Sequence, residues 1–113
     1  MSAAVALCRF DDIPDGAARG FDPDDRGRDT IFVVRKGPRL YGWQNRCPHR
    51  GHEHMAWVKD GFLTPDGARI VCGAHGALYE IETGVCVDGP CVGRSLTPVP
   101  LLMKCGTVYL DRG

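Results

Sequence analysis

Apolar and β-branched residues along the chain fall into short runs broken by glycine, proline and aspartate, and nowhere keep a helical period across three turns. The run Thr30-Ile31-Phe32-Val33-Val34-Arg35 is followed by Lys36-Gly37-Pro38-Arg39 and then Leu40-Tyr41-Gly42-Trp43, a pattern that predicts a hairpin. Phe62-Leu63-Thr64 and Ala68-Arg69-Ile70-Val71 flank Pro65-Asp66-Gly67, a turn in which proline presets φ and glycine accepts positive φ, so a second hairpin is expected. Leu78 to Glu82, Val85 to Val87, Leu96 to Met103 and Thr107 to Leu110 continue as short strands. Asp11 to Asp29, rich in Asp, Gly and Arg, reads as a surface loop. The expected class is all-β, an antiparallel barrel or sandwich.

Length and composition narrow this further. The 113 residues suit one domain with one core, taken as residues 1–113. A hydrophobic share of 43% and a charged share of 25% are ordinary for a globular chain and argue against disorder. Fourteen basic residues balance fourteen acidic ones, so no global field draws nucleic acid or an anionic membrane, and neither partner is expected. The Met1 to Leu7 run carries no basic residue before it and is followed by Asp11 and Asp12, unlike a signal peptide. A cytoplasmic location is therefore expected, and six cysteines in a reducing compartment point to metal before disulfides.

Two segments carry the chemistry: Cys47-Pro48-His49 and, after 22 intervening residues, Cys72-Gly73-Ala74-His75. Structural zinc sites commonly pair Cys with Cys and His with His on one hairpin or helical turn. Here each segment is mixed. Two such loops can place both sulfurs on one metal and both imidazoles on another, which suits a binuclear centre with unlike ends. A single tetrahedral zinc, stabilising an interaction module, uses the same four donors.

The chain resembles the Rieske [2Fe-2S] family through Cys47-Pro-His49-Arg-Gly51 and Cys72-Gly-Ala-His75-Gly76, together with Arg69-Ile-Val-Cys72, His75-Gly-Ala-Leu-Tyr79, Glu82-Thr-Gly84 and Gly89-Pro90. The likeness spans roughly Thr30 to Leu110. It implies a β-barrel or sandwich with a cluster-binding subdomain of two loops, about 45–56 and 70–80, covered by a proline loop at about 88–94. It also implies one [2Fe-2S] cluster per chain, with Cys47 and Cys72 on the buried iron and His49 and His75 on the outer iron through Nδ1. The activity implied is that of the soluble Rieske-type ferredoxins of bacterial oxygenase systems. Such a carrier takes one electron from a flavin-dependent reductase and delivers it to a terminal oxygenase or similar acceptor, catalysing no bond change itself. Its exit is the exposed histidine pair. A small Rieske-like subunit of a nitrite-reductase-type complex is the neighbouring alternative. An oxygenase large subunit is not expected, because the length leaves no mononuclear iron domain.

Two thiolates and two neutral imidazoles leave the oxidised centre formally neutral, so an electron is added more easily than to a four-thiolate cluster, and the potential rises. Departures from the high-potential respiratory members set a limit. His52 and Ala74 stand where those proteins carry an extra cysteine pair, and Ala77 stands where they carry a serine donor. Tyr79 alone matches a hydroxyl donor, and the low-potential end of the family's range is expected. Cys86 and Cys91 can form a disulfide but read first as packed thiols, and Cys8 and Cys105 read as core residues. His52 and His54 read equally well as ionisable neighbours of the cluster or as solvated loop residues. Arg46 and Arg50 suit an acidic partner or plain solubility. Trp43 and Trp57 read as packing aromatics, with Trp57 a candidate for a docking surface, and Gly51 and Gly76 suit close backbone approach to sulfides or simple turns.

Overall fold

The structure, a computed structural model, describes residues 4–46, 60–72, 76–89 and 92–111. They form nine strands: β1 (Ala4–Arg9), β2 (Ala18–Phe21), β3 (Ile31–Lys36), β4 (Arg39–Gln44), β5 (Ile70–Val71), β6 (Leu78–Tyr79), β7 (Cys86–Asp88), β8 (Leu101–Lys104) and β9 (Thr107–Asp111). All pair antiparallel, in three sheets of three, ordered β1-β9-β8, β2-β3-β4 and β5-β6-β7. The all-β expectation agrees with this architecture. Among the described residues the sole helical turn is a 3-10 turn at Phe10–Asp12.

The β3–β4 hairpin closes with Lys36 opposite Arg39, and Gly37 takes the positive φ of 62° that a two-residue connection needs at its first central position. The turn at Pro65-Asp66-Gly67 is also formed, with the Gly67 N–H donating to the Thr64 carbonyl at 2.8 Å and Leu63 bridging Ile70. Two strands were not expected. β1 pairs with β9 across a bulge between Ala6 and Cys8, and β2 lies inside the stretch read as a loop, with Gly20 and Phe21 buried. Ala18-Arg19-Gly20-Phe21 lacks β-branched alternation, and its pairing is a tertiary choice made by the apolar β3 beside it.

The run from Leu96 to Met103 is not one strand. Pro98 and Pro100 supply no N–H, so the regular ladder begins only at Leu101, and residues 94–99 make isolated contacts instead. The Arg94 and Gly84 carbonyls accept from Cys86 and Leu96 at 2.7 and 2.8 Å, and the Thr97 and Gly42 carbonyls accept from Gln44 and Val99 at 2.9 Å. This segment therefore straps the β5-β6-β7 sheet to β4. Trp43 completes the joint: a Cβ on Gly84 would lie 2.6 Å from its ring.

β3 is buried on both faces. Phe32 and Val34 join Trp43, Phe62, Ile70, Cys72, Ala77, Tyr79, Ile81, Cys86 and Leu96 in one core, while Ile31 and Val33 join Ile13, Phe21, Val99 and Leu110 in another. Phe32 and Phe62 stack with centroids 4.3 Å apart and planes 7° from parallel. The single core expected from length is thus two cores divided by one strand, and each fully buried large apolar side chain contributes about 1.5–3 kcal/mol.

Candidate metal centre

Cys72 follows β5 directly and is 1% exposed, set among the residues of the larger core. Its N–H donates to the Ala77 carbonyl at 2.9 Å, and its carbonyl accepts from Gly76 at 2.8 Å, so the chain from Cys72 to Ala77 turns back on itself within a few residues. Gly76 closes the turn with φ +69, and a Cβ there would meet nothing within 4 Å. Cys72 at the start of the turn is sealed in the core, Gly76 is exposed, and Ala77 after it is buried again. A buried thiolate donor suits the sulfur-held half of a [2Fe-2S] cluster. The donor chemistry of Cys72 and its burial fit the group.

Cys47, His49 and His75, the other three expected ligands, lie outside the described residues, as do Arg50, Gly51, His52, His54, Trp57, Ala74, Pro90 and Cys91. Among the described residues no group of three or more His, Cys, Asp and Glu side chains could hold a metal. The described flank before the first motif is the exposed Arg46, preceded by Asn45 at 5% exposure, and the flank after it is Asp60, whose carboxylate accepts from the Gly20 N–H at 2.7 Å. Arg46 was singled out from the sequence; Asn45 and Asp60 were not. Asp60 takes a left-handed φ of 62°, a conformation that Asp adopts more readily than most residues but that no pattern of apolar positions announces.

The third loop packs onto the second. A Cβ on Gly89 would lie 2.8 Å from the Ala77 Cα, and Gly89 also takes φ +99, so only glycine fits where the two meet. Cys86 is a buried thiol that donates to the Asp88 carbonyl at 3.2 Å, in keeping with its reading as a packed residue. Tyr79 is completely buried on β6. Cys105 differs from expectation: it is exposed at the tip of the β8–β9 hairpin, because it and Gly106 supply the two positive φ values, 52° and 78°, of a type I′ turn. Cys8 is half-buried against the smaller core, and burial pushes its thiol pKa up, opposed by the Arg19 charge.

No curated protein matches the chain. Solved structures do. The complex of reduced oxygenase and oxidized ferredoxin in carbazole 1,9a-dioxygenase contains a chain 25% identical, with 95% of this chain and 91% of that one covered at a TM-score of 0.71. The Sphingomonas yanoikuyae B1 ferredoxin is 21% identical, covering 98% of this chain and 100% of that one at a TM-score of 0.73. A protein assigned as the small subunit of an NADH-dependent nitrite reductase from Mycobacterium tuberculosis is 19% identical, covering 100% and 97% at a TM-score of 0.67. The latter two likenesses are of fold alone. The Rieske [2Fe-2S] domain model matches residues 3–104, nearly the whole of a chain whose Cys72 thiol is sealed in the core, and the protein belongs to the Rieske [2Fe-2S] domain family.

Proposed function

We propose that this protein is a one-electron carrier that takes its electron from a flavin-dependent reductase and passes it to a terminal oxygenase. It is an electron-transfer component and not itself a catalyst. The observation that carries the reading is the Cys72 thiol sealed in the core, with Gly76 exposed four positions on, in a chain matched over residues 3–104 by the Rieske [2Fe-2S] model. A complex of reduced oxygenase and oxidized ferredoxin contains a chain 25% identical to this one, which supports an oxygenase as acceptor.

In this reading Cys47 and Cys72 hold the inner iron, His49 and His75 hold the outer iron, and residues 88–94 cover the cluster. Bound there, the [2Fe-2S] group supplies reversible one-electron redox chemistry with no atom transfer. The protein's task is to keep water from the sulfur side and to leave the nitrogen side open to a partner. Cys72, Ala77 and Tyr79, each 1% exposed or less, serve the first requirement, and Gly76 and Val92, the latter 63% exposed, border the second. No helix among the described residues is long and apolar enough to cross a membrane.

The test is cofactor content and reduction in single variants. Purified protein is expected to show visible absorbance, acid-labile sulfide and, once reduced, the electron paramagnetic resonance signal of a His-ligated cluster. Cys72→Ser and His75→Ala each abolish it. Retention of the bound cofactor and its redox response in either variant overturns the ligand assignment. On size exclusion the carrier runs alone and is reversibly reducible, whereas a chain that is soluble only with a large partner behaves as a permanent subunit of a reductase complex.

A further inference from the structure

A cavity of about 370 Å³, formed wholly by described residues, lies where the ends of β3, β4 and β9 meet residues 98–100. Its size is within the range of about 300–1,000 Å³ that small-molecule sites occupy. Ile31, Val99 and Leu110, all buried, give it an apolar wall that Pro98 and Pro100 continue. The backbone donors around it are already spent. The Thr30 N–H donates to the Phe21 carbonyl, Gln44 to Thr97 and Asn45 to Thr30, each at 2.9 Å, and Asp111 donates to Pro100 at 3.0 Å. The two prolines have no N–H to offer. Recognition of anything polar in this cavity therefore falls to side chains.

Two of those side chains are the exposed Arg26 and Arg46. Both are delivered by turns that the chain fixes. The Arg26 and Gly27 N–H groups each donate to the Asp22 carboxylate at 2.8 Å, and the Arg46 N–H donates to the Gln44 carbonyl at 2.9 Å. Among the described residues neither guanidinium has an ion pair or a hydrogen-bond partner. A guanidinium is a planar fork of donors that accepts nothing and matches a carboxylate edge-on. Asp24 and Asp111 also line the cavity, and each of those residues has a further interaction of its own. With two positive and two negative groups in the lining, the formal charge is balanced before anything binds, so a single negative charge suits the space better than a polyanion.

We propose that this cavity is a binding site for a small monocarboxylic acid with an apolar body, its carboxylate held by Arg26 and Arg46 and its body laid against Ile31, Val99, Leu110 and the prolines. The site is separate from the cluster assignment and needs no contact with the iron centre.

The test titrates holoprotein with sodium benzoate by calorimetry and follows the amide resonances of Ile31, Val99 and Leu110. Saturable binding is expected, with those resonances shifting. Arg26→Gln and Arg46→Gln each weaken it about tenfold, the loss of one charge-assisted contact. Both side chains are exposed, so neither change disturbs a core, and Arg26 is remote in sequence from both Cys–His motifs. Arg39→Gln, an exposed arginine outside the cavity, binds as wild type does. Acetate, which has no apolar body, binds at least tenfold more weakly than benzoate, and so do benzamide and benzylamine, which keep the ring without the negative charge. Equal binding of acetate shows a plain cationic patch, and equal binding of benzamide or benzylamine shows an apolar hole with no anion recognition; either overturns the proposal. So does benzoate binding that is absent, or that survives Arg26→Gln unchanged.

Discussion

Gly84 and Trp43 show how much one missing methyl group decides. The glycine sits at φ +72 with the indole six-membered ring against its α-carbon, and this contact holds the turn after β6 to the face of β4. Gly84→Ala adds both a clash with the ring and a disfavoured backbone, and is expected to cost about 2–4 kcal/mol in denaturant unfolding. Phe62, stacked on Phe32, is the matching case of a filled space, and Phe62→Ala is expected to destabilise by about 3–5 kcal/mol in the same assay. Of these residues the sequence marked Trp43 as a packing aromatic and Phe62 as a strand residue. It did not mark Gly84 as a docking point, because a close approach between positions 43 and 84 leaves no local trace in composition.

At the level of elements, β3 is the member on which the others depend. Its run Ile31-Phe32-Val33-Val34 is legible as a strand, and the absence of any polar residue in it is the signature of burial on both faces. The partner β2 was not legible, since Ala18-Arg19-Gly20-Phe21 becomes a strand only by adding to that wall. The β3–β4 hairpin is also tied to the β6–β7 turn by the ion pair in which Lys36 Nζ donates to Glu82 Oε1. The hydrogen bond from Lys36 holds the Glu82 carboxyl below its ordinary range, and the same bond holds the Lys36 ammonium above its own. A depressed carboxyl pKa adds stability above the unfolded-state value that is lost as pH falls through the folded one, so the Glu82 contribution fades on acidification through about pH 4. A raised lysine pKa acts in the opposite window, and its contribution is lost only above about pH 10. Thermal melts of Glu82→Gln are expected to match wild type at the acid end and fall slightly below it near neutrality, a gap that added salt narrows.

The whole molecule sets the potential at which the carrier works. Ala77 is fully buried beside the Gly89 backbone and offers no hydroxyl where high-potential relatives of the sequence pattern carry serine. A midpoint potential in the lower half of the family's roughly −150 to +300 mV range is expected from protein-film voltammetry, and a value in the upper half contradicts this account. The paired Cys–His motifs, the strand-and-turn class and the family were decided by the sequence alone, because ligand identity and hairpin chemistry are local and survive in the order of residues. Only the tertiary structure decided that one strand would divide two cores, that residues 94–99 would strap the β5-β6-β7 sheet to β4, that Cys105 would stand at an exposed turn, and that Asp60 would reach Gly20. Each of those joins positions distant along the chain, and such contacts are selected by which surfaces are left to bury after the local elements have formed.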